Sequence, residues 1–159
     1  MSNLALREAK AEDLSLLKEL YLEMYSYLGN FSMPYTIAEE SLEDVLRILI
    51  RAKHTSILLG ELDGEVVGFI AMEITKIDRK LKLEPSNIIG FIKDLYIVPD
   101  KRRLGLANDF LQKGEEILLE LGASAIECNV IVDNHGAINF WESQGFSKMA
   151  HVMYKRIQD

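Results

Sequence analysis

The sequence predicts an α/β fold of the α+β type, with a mixed, mostly antiparallel sheet and helices on both of its faces. Three observations lead there. Two blocks of helical apolar spacing come early in the chain. A run of strand-like segments follows, hinged at Asp63-Gly64. The remainder alternates strand, helix, strand, helix, strand.

Taken in order, Leu4-Ala5-Leu6-Arg7-Glu8 reads as a short first strand. Glu12 and Asp13 then open a helix, where acidic side chains favour the positive end of the helix dipole. Leu14, Leu17, Tyr21, Met24, Tyr25 and Leu28 recur at helical spacing, and Gly29-Asn30 ends the run. After the loop Phe31–Tyr35, Thr36-Ile37-Ala38-Glu39 has capping-box form. Leu42, Val45, Leu46, Leu49 and Ile50 mark the second helix.

Ser56–Leu62 is predicted as a strand, and Asp63-Gly64 is a strong hairpin signal because both turn positions need positive φ. Val66–Ile77 returns antiparallel to it. A polar connection, Arg79–Asn87, leads to a long strand from Ile88 to Val98 that Pro99 ends. A third helix is predicted from about Arg103 to Leu121, with Gly122 just past its end. Ala125–Ile131 reads as a strand, Ala137–Glu142 as a short helix closed by Gly145, and Lys148–Lys155 as a final strand. No Pro/Gly-rich linker divides the sequence, so residues 1–159 are expected to form one domain.

Composition narrows the function classes. Apolar residues make up 48%, which argues against disorder. The apolar runs are short and broken by charge, so no membrane partner is expected. Met1-Ser2-Asn3-Leu4 lacks the charged and apolar regions of a signal peptide. Cys128 stands alone and can form no internal disulfide, which makes a cytoplasmic location the default. A net charge of −7 disfavours nucleic acid as a partner. It suits a cationic acceptor, although solubility explains it equally well. His54, His135 and His151 are scattered without metal spacing, so no metal is expected.

The most informative segment runs from Leu95 to Ala107, a strand leading directly into a glycine-containing helix start. Unpaired N–H groups and the dipole at a helix N-terminus attract anions. Gly105 lacks a Cβ and lets an oxygen-rich ligand approach the main chain, and Lys101, Arg102 and Arg103 add positive charge. The features suit a pyrophosphate, while a solvated basic cluster at an ordinary helix start is the plain alternative. No Gly-Lys-Ser/Thr follows, and the three-glycine dinucleotide pattern is absent.

The later segment Asn134-His135-Gly136-Ala137-Ile138-Asn139-Phe140-Trp141-Glu142-Ser143-Gln144-Gly145-Phe146 decides between these readings. With it, the chain resembles the GNAT superfamily of N-acetyltransferases. The family pattern Arg/Gln-x-x-Gly-x-Gly/Ala is matched by Arg102, Gly105 and Ala107, and the preceding Leu-x-Val-x-Pro by Leu95, Ile97 and Pro99. The Asn-x-x-Ala-x-x-Phe-Tyr-x-x-x-Gly-Phe pattern is matched everywhere except at Trp141. Leu6-Arg7-Glu8-Ala9 with Asp13-Leu14 is similar to the usual opening, so the resemblance spans almost the whole chain.

The resemblance implies a GNAT-like fold and acetyl transfer from acetyl-CoA, as cosubstrate, to a primary amine of a small molecule or peptide. It implies that the strand ending at Val98 carries a bulge and splays from the strand near Val130, with pantetheine in the gap. The Ile97 N–H would face the thioester carbonyl and stabilise the oxygen as it gains charge. Arg103, Leu104, Gly105, Leu106 and Ala107 would donate main-chain N–H groups to the phosphates, with Arg102 assisting by charge. Val98 would line the cofactor site, Asn134 would bond near pantetheine or the amine, and Phe140 would pack beside the cofactor. A homodimer, common in the family, is left open.

Two positions depart from the family. Trp141 stands where many relatives carry a tyrosine thought to protonate the departing thiolate, and packing is its ordinary role. Phe91 aligns with the glutamate some relatives use as base, so Asp94, three residues before Ile97, is the first candidate, with Glu73 and Glu127 behind it. A water chain could replace all three. These departures support a second reading, a catalytically weak acyl-CoA-binding sensor or regulatory module. Cys128 reads as core and Tyr21 and Tyr25 as packing; the resemblance implies that the region of Tyr21, Tyr25, Tyr27 and Tyr35 walls the acceptor pocket, with Tyr35 the one to watch. The loops Phe31–Tyr35 and Arg79–Asn87 are expected to shape the acceptor pocket, whose occupant the sequence leaves unnamed.

Overall fold

A computed structural model describes residues 3–159; Met1 and Ser2, the first residues of the stretch tested for a signal peptide, lie outside it. The chain forms β1 (Ala5–Glu8), α1 (Leu14–Leu28), α2 (Glu39–Arg51), β2 (Thr55–Leu62), β3 (Glu65–Lys76) and β4 (Ile88–Ile97), then α3 (Leu106–Glu120), β5 (Ala125–Cys128) and α4 (His135–Ser143). One sheet runs in the order β1-β2-β3-β4-β5. Its first three pairings are antiparallel and β4–β5 is parallel. This is the mixed, mostly antiparallel sheet that the sequence predicts.

The alternation of side chains along each strand builds two cores. On one face, Ile57, Leu59, Phe69, Ala71 and Tyr96 pack against Leu17, Tyr21 and Met24 of α1 and Leu42 and Leu46 of α2. On the other face, Leu58, Val67, Ile70, Met72 and Ile92 pack against Phe110, Leu111 and Leu118 of α3. Here α3 lies so close to β3 that a Cβ at Gly114 would stand 2.8 Å from the Met72 sulfur.

The β2–β3 turn is built as its sequence requires, with φ of 53° at Asp63 and 83° at Gly64. Such angles match the right-handed twist of the flanking strands. Beyond the end of β1, Asp13 is buried and accepts from both terminal Arg7 guanidinium nitrogens at 2.8 Å, tying the strand to the start of α1.

Three expectations need correction. The Thr36 capping box does not form: Ala38 stands at the N-cap of α2, and no side chain caps it. The third helix starts at Leu106 rather than Arg103, because Arg103 and Gly105 both adopt left-handed backbone, with φ of 64° and 78°. Residues Lys148–Lys155 form no strand; the segment makes no sheet pairing, and every residue from Ser147 to Asp159 is exposed.

Candidate active site

The site is built around a bulge in β4. Ala71 pairs with Asp94 and Met72 with Ile92, which leaves Lys93 as the extra residue. In a regular strand, residues two apart share a face. The extra residue reverses that: Ile92 packs toward α3, whereas Asp94 turns to the α1 side and accepts from the Tyr21 hydroxyl at 2.8 Å. A bulge thereby re-aims one carboxylate off the α3 core and into the α1 side of the sheet.

Burial pushes the Asp94 carboxyl above the ordinary carboxylate range, against the pull of the Tyr21 hydrogen bond and of Lys93. The same burial, with the Asp94 charge beside it, pushes Tyr21 well above the usual phenol range, so its proton stays on oxygen and is donated to Asp94. Tyr25 is raised for the same two reasons. Of the other carboxylates considered, Glu73 is 3.6 Å from the Lys93 ammonium, whereas Glu127 sits on β5 opposite Phe91.

The parallel pairing of β4 with β5 stops at Ile92 and Cys128. From Lys93 to Ile97 the β5 side of β4 is open. Val98 N–H donates to Val67 on β3 at 2.9 Å. Main-chain groups alternate direction along a strand, so the Ile97 N–H points the other way, into the opening. The Ile97 carbonyl, on the same edge, accepts from Arg102 Nε at 2.8 Å. The Arg102 guanidinium also lies 4.7 Å from the Tyr27 ring centroid and 5.4 Å from that of Tyr96.

The chain next turns through the two left-handed residues, Arg103 and Gly105, on either side of Leu104. Successive amides in such a turn make an anion-binding concavity. Gly105 is the N-cap of α3 and brings no side-chain cap, so Leu106, Ala107 and Asn108 keep N–H groups without helical acceptors. A Cβ built on Gly105 would meet nothing within 4 Å. The geometry fits a pyrophosphate: open space, orphan donors, the helix dipole and neighbouring Arg103.

On the far wall, Asn134 is buried and caps α4, its Oδ1 accepting from Ala137 N–H at 3.2 Å. Phe140 and Trp141 meet edge-on at 5.2 Å, and Trp141 and Phe146 at 5.0 Å. Trp141 is thus part of a packed aromatic row, and its indole N–H is a hydrogen-bond donor only. Cys128 is half-buried, and burial pushes its thiol up to about 11, which suits packing rather than attack.

The two loops expected near an acceptor occupy different places. Phe31–Tyr35 lies at the site: Ser32 N–H and Oγ both donate to Asp133, one residue before Asn134. A cavity of about 290 Å³ opens beside it, lined by Tyr25, Met33, Tyr35, Ile37 and Leu42. Arg79–Asn87 instead joins the start of β4, the end away from Ile97, and is held there by Ser86 bonds to Ser124 and to the Gly122 carbonyl. Among the described residues no group of three His, Cys, Asp or Glu side chains could hold a metal ion, and no helix is long and apolar enough to cross a membrane.

Residues 14–146 match the model of the acetyltransferase (GNAT) family. The chain belongs to that family. This acetyltransferase is 26% identical over 139 residues to an uncharacterized N-acetyltransferase of Archaeoglobus fulgidus, covering 87% of this chain and 90% of that one. It is 28% identical over 102 residues to an N-alpha-acetyltransferase of Sulfurisphaera tokodaii, covering 63% of this chain and 61% of the other. Its fold is similar to that of aminoglycoside N-acetyltransferase AAC(6')-Iy in complex with CoA, with a TM-score of 0.77 at 16% identity, over 100% of this chain and 97% of that one. The GNAT resemblance noted in the sequence is therefore correct, and the protein is an acyltransferase by family.

The tyrosines are what sequence reasoning missed. Tyr21 reads as core but holds Asp94, and Tyr27, read only as part of the region walling the acceptor pocket, stacks on Arg102. Spacing on α1 puts Tyr21 and Tyr25 on one face; nothing in the sequence pairs that face with a carboxylate 73 residues away.

Proposed function

We infer that the acetyltransferase transfers the acetyl group of acetyl-CoA to a primary amine of a small molecule or peptide by direct attack. The observation that carries this is the open edge of β4, with the Ile97 N–H facing it and the Asp94 carboxylate on the α1 face of the same strand. In this reading pantetheine pairs with the edge beside Ile97 and Val98. The phosphates rest on the main-chain donors of Arg103, Leu104, Gly105, Leu106 and Ala107. Phe140 packs beside the cofactor, and the Asn134 amide nitrogen donates to it.

The amine enters as an ammonium ion and loses a proton to Asp94, directly or through water. Its lone pair then attacks the thioester carbonyl carbon. The C–N bond forms, the oxygen gains negative charge, and the Ile97 N–H stabilises it where the charge appears. Collapse breaks the C–S bond and releases the thiolate. The second nitrogen proton passes through solvent to that sulfur, so no tyrosine is needed where Trp141 stands. A thiol pKa of about 8.5, by analogy with cysteine, makes this a fair leaving group.

The test is a thiol-release assay with acetyl-CoA and a panel of primary amines: polyamines, amino acids, aminoglycosides and peptide N-termini. Free coenzyme A that appears only when acetyl-CoA and one acceptor are both present supports the reading. Tight acetyl-CoA binding with no turnover on any amine would favour the sensor module instead, the role that a packed Trp141 leaves open.

A further inference from the structure

The cavity beside the α1–α2 loop is apolar, whereas an amine acceptor arrives charged. The cavity holds about 290 Å³, at the small end of ligand pockets, which run from about 300 to 1,000 Å³. Its walls include Tyr25 of α1, Met33, Tyr35 and Ile37 of the loop, and Leu42 and Val45 of α2, and among the described residues no charged side chain lines it. Glu43 and Asp44 of α2 are both paired with Arg47, while Glu39 and Glu40 at its start are exposed and outside the lining. The loop is braced by the Ser32 bonds to Asp133 and by Tyr154, which lies edge-on to Tyr35 with ring centroids 5.7 Å apart.

Tyr25 connects this cavity with the Asp94 carboxylate. Tyr21 and Tyr25 are four residues apart, so they share one face of α1, about one turn or 5.4 Å apart along its axis. Tyr21 donates to Asp94 at 2.8 Å, and the Asp94 charge reaches Tyr25 as well. Tyr25 lines the cavity, and Asp94 stands outside it. Two other carboxylates near this face are already engaged: Glu73 by Lys93 at 3.6 Å and Glu23 by the Tyr96 hydroxyl at 3.4 Å. A ligand that spans both places therefore meets one carboxylate at one end and an uncharged apolar wall at the other. A second ammonium in the cavity would lose its water and find no counter-ion, which is costly.

We propose that the acceptor is a small monoamine, in which one primary amine is carried a few carbons from a single aromatic or branched apolar group that fills this cavity while the amine lies at Asp94. The proposal rests on the transfer reading above and narrows it. At about 1.5 Å per bond, two or three carbons between ring and nitrogen bridge about one helical turn. The small volume holds one body the size of a side chain, which favours a free small molecule over a peptide N-terminus. Polyamines and aminoglycosides, with several ammonium groups each, fit an uncharged wall poorly.

Steady-state kinetics with 2-phenylethylamine, spermidine and a tripeptide with N-terminal phenylalanine test this, beside isothermal titration of the same amines into the CoA-loaded protein. The wild type is compared with Met33→Trp, which fills the cavity, and Val45→Glu, which puts a carboxylate into its wall. Met33 lies in a loop and Val45 is 45% exposed, so both variants should keep wild-type circular dichroism and acetyl-CoA affinity. The expected kcat/KM for 2-phenylethylamine is at least tenfold above that for either other acceptor. Met33→Trp should lower its binding and turnover at least tenfold, and Val45→Glu should raise spermidine relative to it. A wild type that fails to bind 2-phenylethylamine, that prefers spermidine or the tripeptide, or that is indifferent to Met33→Trp would overturn the proposal; turnover of another amine would then leave the transfer reading standing. Conversely, 2-phenylethylamine that binds as expected, weakens with Met33→Trp and is never acetylated would uphold the specificity of the cavity and overturn the transfer reading.

Discussion

Arg102 Nε donates to the carbonyl of Ile97 at 2.8 Å, while the N–H of the same Ile97 faces the open edge of β4. The arginine of the phosphate motif is thus fastened to the residue proposed to stabilise the transition state. Its guanidinium, lying over Tyr27 and Tyr96, is held from three sides. In the proposed reading Arg102 is a positioning residue for Ile97 in addition to any charge it lends to the phosphates.

Arg102→Lys keeps the charge but cannot reproduce the planar fork that bonds one carbonyl while stacking on two rings. With a suitable acceptor, kcat should fall about tenfold or more while KM for acetyl-CoA changes little, since phosphate attraction survives. A variant that raises KM and spares kcat would assign Arg102 to phosphate binding alone. Steady-state kinetics varying acetyl-CoA at saturating acceptor separate the two.

Asp94 gives a paired prediction for activity and stability. Its carboxyl titrates above the ordinary range because burial disfavours its charge. A group whose folded pKa is raised adds stability when protonated, and that contribution is lost as pH rises through the folded value. Asp94→Asn should therefore melt at a higher temperature than wild type at pH 7, yet lose most of its turnover. The acid limb of the kcat/KM profile should vanish with it. Unchanged rates across the pH range would remove Asp94 as the base.

Tyr21→Phe tests the same pair from the other side. The Tyr21 hydroxyl bonds the charged carboxylate and holds its pKa down against burial. Without that bond, the acid limb should move to higher pH while the plateau rate stays within a few-fold of wild type. A shift to lower pH would contradict the assignment.

At Asp13, which precedes α1, the sign is opposite. Asp13 is buried against Arg7, whose hydrogen bonds hold its carboxyl below the usual range. Stability from a lowered pKa is present above the unfolded value and lost as pH falls through the folded one. Urea melts of Asp13→Asn should show clear destabilisation at pH 7, and a gap from wild type that narrows steadily below about pH 4, the unfolded aspartate range. A constant gap at all pH values would mean that packing, not charge, is at stake.

How much of this was legible in the sequence follows from how local each signal is. Asp63-Gly64 specified its turn because both φ values are set within two residues. The β4–α3 junction was legible for the same reason, since glycine and basic residues cluster there. The helix start was misplaced by three residues because a left-handed Arg103 cannot be read from an arginine. Likewise Thr36 has the letters of a cap, but the turn of chain into α2 places Ala38 at the end. The Tyr21–Asp94 bond depends on a bulge at Lys93 that only the register with β3 reveals. Lys148–Lys155 has the composition of a strand, and composition does not supply the sheet edge that a strand must pair with.

Acetyl-CoA resting against the start of α3 is the central claim, and isothermal titration of the ligand-stripped protein with acetyl-CoA tests it most directly. Gly105 is left-handed with open space above it, so Gly105→Ala introduces backbone strain alone, and Gly105→Glu adds bulk and negative charge where a phosphate should lie. The prediction is micromolar binding by the wild type, weakened binding in the alanine variant and none detectable in the glutamate variant, each with wild-type circular dichroism. A folded wild type that takes up no acetyl-CoA, or a glutamate variant that binds as tightly as wild type, would contradict it.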